Sequence, residues 1–456
     1  MAALLCPLHA AVTLGPLFSD HMVLQREKPI VIYGKADPGE TVTVEFLQAK
    51  ASTRASAKGV WELKLPPQVA NSTPSPLVVT ASNRIEVNDV VVGEVWLCAG
   101  QSNMAMLVKN AARAAAEVAA ADQPLIREFK VRARFADAPA DTYAGEWKRS
   151  SPAHTGDFSA TAYFFAQKLQ RELGVPVGII TSAYGNTSIS SWRSPEALSK
   201  EPTVGTWWKE QLAAKTPPRP HRMPSSCYNG MIHPLAPLAL RGFLWYQGEG
   251  DATVTPTFTT IYARQLSGLI SEWRELFGGS TDLPFYWVQL AGYGDAGARD
   301  WVGLREQQQA VVAVKHTGQA IALDIGEAKD IHPKNKQAVG DRLARLALRR
   351  TYGRDIVDSG PHLLSAKTDD ASVRLQFANA DGLATAGETA AAFELAGPDG
   401  TFHAASVLSV DGPRVRVESD AVKRPVSLRF GWQNLPPGFL FNAAGLPAAP
   451  FRVELK

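Results

Sequence analysis

The chain of 456 residues carries 47 basic and 44 acidic side chains, a formal charge of +3, and is 45% hydrophobic. That length and apolar content allow more than one core, about two to three domains. The near balance of charge, without a long basic run, argues against nucleic acid as the main partner, and no apolar stretch reaches the roughly 18 residues of a membrane span.

The first residues, Met1-Ala-Ala-Leu-Leu-Cys6, resemble the end of a secretory leader but lack a basic n-region. Cys6, Cys98 and Cys227 form no disulfide framework and no CxxC zinc spacing, and Cys98, inside an apolar run, reads as buried filler. Residues 12–92 read as β. Ile30–Tyr33, Thr41–Phe46 and Trp61–Leu65 are short β-branched and aromatic runs, broken at Asp37-Pro38-Gly39 and Pro66-Pro67. A sandwich or jelly-roll-like module is expected there.

From 93 to about 355 apolar strands alternate with amphipathic helices. Strands are expected at Glu94–Cys98, Val177–Thr181, Gly242–Tyr246, Pro284–Leu290 and Gln319–Asp324. One helix carries Phe258, Tyr262, Leu266, Leu269, Trp273 and Phe277 on a single face; another runs through Val339, Leu343 and Leu346. This alternation predicts an α/β domain with a parallel sheet covered on both faces. Residues 186–236, rich in Pro, Ser and Trp, form an irregular excursion of the kind that rims a site. From 356 to 456 the β pattern returns at Val373–Phe377, Ala391–Leu395, Val415–Ser419 and Val426–Phe430, which suggests accessory β structure contributed by both chain ends.

Ligands of an open α/β sheet bind beyond the carboxyl ends of its strands. Four polar loops fall there: Ala99–Met104, Ser182–Thr187, Gln247–Asp251 and Asp330–Pro333. They hold the parts of an acyl-transfer site. Ser102 stands after a strand and a glycine, where a helix start offers free N–H groups and a positive dipole end. A serine hydroxyl needs an adjacent base to attack, and alone a Gly-x-Ser is more often an N-cap. His332 is the best base, held extended by Pro333; His233, also before a proline, is its rival. Asp330, two residues earlier, can orient the imidazole, with Asp324 and Glu249 as fallbacks. The Ser102 and Gly185 backbone N–H groups and the Gln247 side-chain amide suit an oxyanion hole.

Together these loops resemble the sialate O-acetylesterase-type carbohydrate esterases of the SGNH hydrolase class. The resemblance runs from Phe18–Gln25 through Gly93–Trp96, Gly100-Gln-Ser-Asn-Met104, Tyr228–Ile232, Trp245-Tyr-Gln-Gly-Glu249, Leu304–Gln307 and Asp330-Ile-His-Pro333 to Gly445–Arg452. It implies a flavodoxin-like three-layer core, a Ser102 nucleophile, a His332 base, an Asp330 acid, and Gly185 and Gln247 in the oxyanion hole. It also implies a supporting role for Arg305 near the site and no metal or organic cofactor. Three departures stand out. Gly185-Asn186 replaces the family's glycine pair, Gly250-Asp251 replaces Ser-Asn, and Lys329 occupies the usual place of the SGNH acid.

The expected reaction is removal of acetyl groups from carbohydrate hydroxyls. The family's name suggests sialic acid, whose carboxylate would favour Arg193, Arg222 or Arg305. Trp192, Trp207 and Trp208, with Trp301, suit instead the neutral rings of xyloglucan or xylan, or else lid packing. Asn186 and Glu249 are further substrate-binding candidates. A substrate of this kind suggests a periplasmic or secreted enzyme; oligomeric state has no signal. Two other classes remain open: a carbohydrate-binding protein with an inactive esterase core, and a metallohydrolase using Asp324, Asp330 and His332, which no HxH or HExxH spacing supports.

Overall fold

The computed structural model describes residues 11–213, 218–252, 256–297 and 299–455; the leader-like segment and Cys6 lie outside them. Its centre is a sheet in the order Gly145–Ser150, Gln123–Val131, Val177–Ala183, Arg84–Gly100, Gly242–Tyr246, Phe285–Val288, Thr317–Ala320. The first of these pairs antiparallel with its neighbour, and the others run parallel. Numbering the five strands that begin with Arg84–Gly100 and omit 123–150 gives the order 2-1-3-4-5, that of flavodoxin-like doubly wound sheets. The strand order reverses at Arg84–Gly100, and Ser102 follows that strand directly.

Both sheet faces are dry. Trp96, Cys98, Leu244 and Val288 pack under helices Ala160–Leu173 and Lys336–Arg350. Val95, Leu97, Phe243 and Trp245 pack on the opposite side with Tyr262, Leu266, Trp273 and Leu304 of helices Pro256–Leu276 and Trp301–Ala310. Alternate residues of one strand thus enter different cores, which is why these strands read as continuous apolar runs. The helices have ordinary stops and starts: Ser159 caps Ala160–Leu173, which ends at Gly174 in the left-handed region, and Asn335 caps Lys336–Arg350.

The N-terminal strands do not form a detached body. Arg84–Gly100 is 17 residues long; its first half pairs with Asn71–Thr80 and with Val23–Gln25, and its second half lies at the centre of the core sheet. The expected boundary at 92/93 therefore falls inside a strand. At the other end, two four-stranded sheets and a two-stranded one enclose a core of their own around Val373, Phe393, Val417 and Phe430. Among the described strands none from the N-terminal end pairs with one from the C-terminal end, so the two ends build separate β structures. Ala391 and Ala392, expected in a strand, close a short helix before Phe393–Ala396.

Two strands of the central sheet were not expected, Gln123–Val131 and Gly145–Ser150. The first carries Arg127 and Glu128 buried side by side. Arg127 pairs with Asp89, and Glu128 accepts from Thr181 Oγ1 and the Ser159 N–H, so both charges are satisfied inside the sheet.

Candidate active site

The loop that carries Ser102 begins at Gly100, whose φ of 140° and whose contact with Tyr246 O, 2.1 Å from where a Cβ would stand, admit no other residue without displacement. Ser102 opens the one-turn helix Ser102–Ala105. Neighbouring helix residues pin that turn: Ser159 Oγ donates to Met104 O at 2.7 Å and Thr161 Oγ1 to Asn103 O at 3.1 Å. Ser102 and His332 line one solvent-open cleft of about 380 Å³, together with Met106, Asn110 and Lys334.

The His332 ring is held from one side. Its Nδ1 lies 3.3 Å from Asp330 Oδ1, which also accepts the His332 backbone N–H at 2.8 Å. That leaves Nε2 for the serine. Lys334 Nζ sits 2.8 Å from the other Asp330 oxygen and is the main reason that carboxyl stays below its ordinary range. Burial pulls the His332 imidazole below its ordinary value, Asp330 opposes that, and Lys336 and Lys334 add to it. A neutral imidazole beside an ionised carboxylate is the state a general base requires. Lys329, at the family's usual acid position, is exposed.

Among the described residues the backbone N–H groups of Ser102 and Gly185 have no protein acceptor. Gly185 abuts Ser102, with 3.5 Å from an ideal Cβ to Ser102 Cβ. Tyr184, before it, donates its N–H to Gly100 O at 3.0 Å, which fixes the second loop against the first. Two backbone donors over one serine can stabilise an oxyanion.

Gln247 corrects the sequence reading. It is fully buried, its amide nitrogen donates to Thr187 O at 3.0 Å and to Asp251, and its oxygen accepts from Tyr262 at 2.8 Å. Both donor hydrogens are therefore used inside the protein, and the side chain ties strand ends together instead of meeting a substrate. Asp251, the departure after Gln-Gly-Glu-Gly, accepts from Gln247 and from the Ile189 N–H, and burial lifts its carboxyl to about 6. Gln101 completes this lattice by accepting the Gly250 N–H at 3.0 Å.

Other candidates also lie in the frame. Arg305 has no exposed surface and donates to the carbonyls of Leu290, Ala291, Gln433 and Asn434, joining the core to the C-terminal β structure. Burial lowers it to about 9, so it remains a cation at neutral pH. Arg193 pairs with Glu272 and Gln265 and anchors the excursion to helix Pro256–Leu276. Trp192 is buried with its Nε1 on Thr187, and Trp207 and Trp208 pack with Phe258, so these rings are structural. Trp301 is likewise buried, bonded to Ala291 O. Asn186 is exposed beside Gly185, in the left-handed region, and accepts from Arg222 at 3.1 Å. Asp324 forms a two-pronged pair with Arg342, which withdraws it both as an acid for His332 and as a member of a metal-binding set. The rival His233 packs against Tyr228 in the excursion.

Glu249 is buried beside the Ser102–Ala105 turn, where Asn103 Nδ2 donates to it; burial raises its carboxyl. Asn103 Nδ2 also donates to Ile331 O at 3.1 Å, and Asn103 Oδ1 accepts from Lys336 Nζ at 2.6 Å. Neither Asn103 as an individual side chain nor Lys336 was singled out from the sequence. The available signal was a lysine at the first turn of a helix, where a cation is disfavoured.

Comparison with known proteins shows the family. A family model described as carbohydrate esterase, sialic acid-specific acetylesterase, matches residues 92–349. Sialate O-acetylesterase from Homo sapiens is 30% identical over 387 residues, covering 75% of this chain and 72% of the relative. The Mus musculus enzyme is 28% identical over 408 residues, covering 75% and 74%. A solved carbohydrate acetylesterase from Xanthomonas citri superposes with a TM-score of 0.89 at 37% identity, covering 97% of this chain and 99% of that one. The chain is an esterase and belongs to the carbohydrate esterase family of sialic acid-specific acetylesterases.

Proposed function

We propose that this protein is a serine-dependent carbohydrate O-acetylesterase with an SGNH-type core. Ser102 Oγ attacks the acetyl carbonyl while His332 Nε2 takes its proton. The Ser102 and Gly185 N–H groups receive the oxyanion, and the sugar hydroxyl leaves with the proton from His332. Water, deprotonated by the same imidazole, then releases acetate from Ser102. Asp330 keeps the ring oriented and stabilises its cationic form. The observation that carries this reading is the single cleft shared by Ser102 and His332, with Asp330 on the far ring nitrogen.

The cleft opens to solvent, which suits an acetyl group carried on a bulky glycan. The names of the relatives favour O-acetylated sialic acid; acetylated hemicellulose such as xyloglucan or xylan is the second class. Acetate release from sialylated mucin set against acetylated hemicellulose decides between them. A glycan substrate of this kind favours a periplasmic or secreted enzyme, which fractionation tests. The central assignment is tested by Ser102→Ala: a folded variant should lose turnover of 4-nitrophenyl acetate by at least about 10⁴-fold. Retained turnover removes it.

A further inference from the structure

We propose that Lys336 is a positioning residue for the esterase reaction: through Asn103, its ammonium holds the turn that carries Ser102 against the loop that carries His332. The inference rests on the reading of those two residues as nucleophile and base.

Lys336 has no exposed surface, its Nζ donates to Asn103 Oδ1 at 2.6 Å, and it lies 5.1 Å from the centre of the Tyr246 ring. A lysine only donates, so this contact fixes which end of the Asn103 amide is oxygen. The amide nitrogen must then point to the Glu249 carboxylate and the Ile331 carbonyl, and both contacts are present. Asn103 is adjacent to the nucleophile and Ile331 to the base. One ammonium thus orients one amide, and that amide bridges the two reacting segments, which are separated by some 230 residues of chain.

The arrangement is costly for folding. Lys336 is the first residue of helix Lys336–Arg350, at the positive end of its dipole, and it is removed from water. A methionine there would pack with less penalty. Glu249 supplies the buried counter-charge, and its second oxygen has no hydrogen-bond partner among the described residues. The charged groups felt by Lys336 are Glu249, Lys334, Asp330 and Glu327; those felt by His332 are Asp330, Lys336 and Lys334. Burial draws Lys336 down to about 7, and its charge, after the ring's own burial, helps keep His332 free of a proton. Loss of that charge therefore raises the proton affinity of His332.

The test uses Lys336→Met and Lys336→Gln in the full chain, with kcat and KM for 4-nitrophenyl acetate measured across pH and Tm measured for each. Lys336→Met should lower kcat about 10-fold or more with KM within about twofold, and should move the acid limb of kcat/KM up by about half a pH unit. Lys336→Gln keeps an N–H for Asn103, so it should recover part of kcat while keeping the raised limb. If Lys336→Met fails to fold, Lys336→Gln decides alone. Folded variants with the parent's kcat and acid limb overturn the proposal, as does a kcat loss that tracks Tm with the limb unmoved. An inactive Ser102→Ala beside parent-like Lys336 variants would sink this inference only; an active Ser102→Ala would sink the reading beneath it.

Discussion

Asn103 Nδ2 donates to the carbonyl of Ile331 across 3.1 Å, so the residue after Ser102 is bonded to the residue before His332. Because each partner is one peptide away from one of those two side chains, the separation of Ser102 and His332 is set by backbone geometry more than by side-chain choice. No direct Ser102–His332 hydrogen bond is made, as is common for a serine and its base before substrate tightens the pair.

This geometry fixes the pH behaviour. The His332 imidazole is held below its ordinary value, so the neutral base persists into mildly acidic solution. The acid limb of kcat/KM is expected below about 6.5, the ordinary imidazole value. A pH–rate profile with 4-nitrophenyl acetate checks it; an acid limb above 7 would contradict it.

Asp330→Asn should lower kcat by about 10²-fold or more with little change in KM, because the amide can present N–H to Nδ1 and disorder the tautomer. The carboxylate is about one-third exposed and also engages Lys334, so water and that ammonium temper the loss. Single-turnover acetylation, followed by release of 4-nitrophenol, measures the effect on the first step. An unaltered rate would return the acid's role to another group.

Gly185→Ala adds a methyl group 3.5 Å from Ser102 Cβ, an ordinary contact distance, and φ there is not in the left-handed region. Stability should therefore hold while the acetyl pocket narrows. A kcat loss of about 10-fold, with Tm within a degree or two, is the expected pair of measurements. A large fall in Tm would show that Gly185 is needed for folding.

Arg305→Met separates structure from substrate binding. The variant removes four donated hydrogen bonds at the joint; Ala291 O keeps Trp301 Nε1 and Asn434 O keeps the Tyr293 N–H, while Leu290 O and Gln433 O lose their donor, a loss of about 3–5 kcal/mol. Denaturant unfolding should report that loss, and KM for a glycan substrate measured at low temperature should stay near the parent's. A raised KM in a stable variant would restore the substrate role.

The sequence was most legible where one physical pattern dominated. Val177–Ala183 and Gly242–Tyr246 are apolar throughout because both their faces are covered, and the chemistry-bearing residues follow them at strand ends, where such sheets bind ligands. Gln123–Val131 escaped notice because Pro124, Arg127, Glu128 and Lys130 break the apolar run, and its two buried charged side chains find hydrogen-bond partners far away in the chain. Gln247 and Arg305 misled for a related reason. Residue type marks a side chain as able to bind, yet only three-dimensional packing decides whether its donors are already taken. The three tryptophans are the apolar version of that ambiguity: large rings near a strand end serve a lid as readily as a sugar.

The 17-residue strand Arg84–Gly100 acts as a common spine for the whole front of the enzyme. Any strain or trimming applied at its outer half is delivered along one unbroken backbone to the turn holding the nucleophile. A version shortened to begin at residue 93 would remove Val23–Gln25, Asn71–Thr80 and the outer half of the spine itself, and would uncover the central sheet at Gly178, against which Val23 packs. Apolar surface uncovered in this way invites aggregation, so the front β structure is a working part of the body that carries Ser102 and not a detachable ornament.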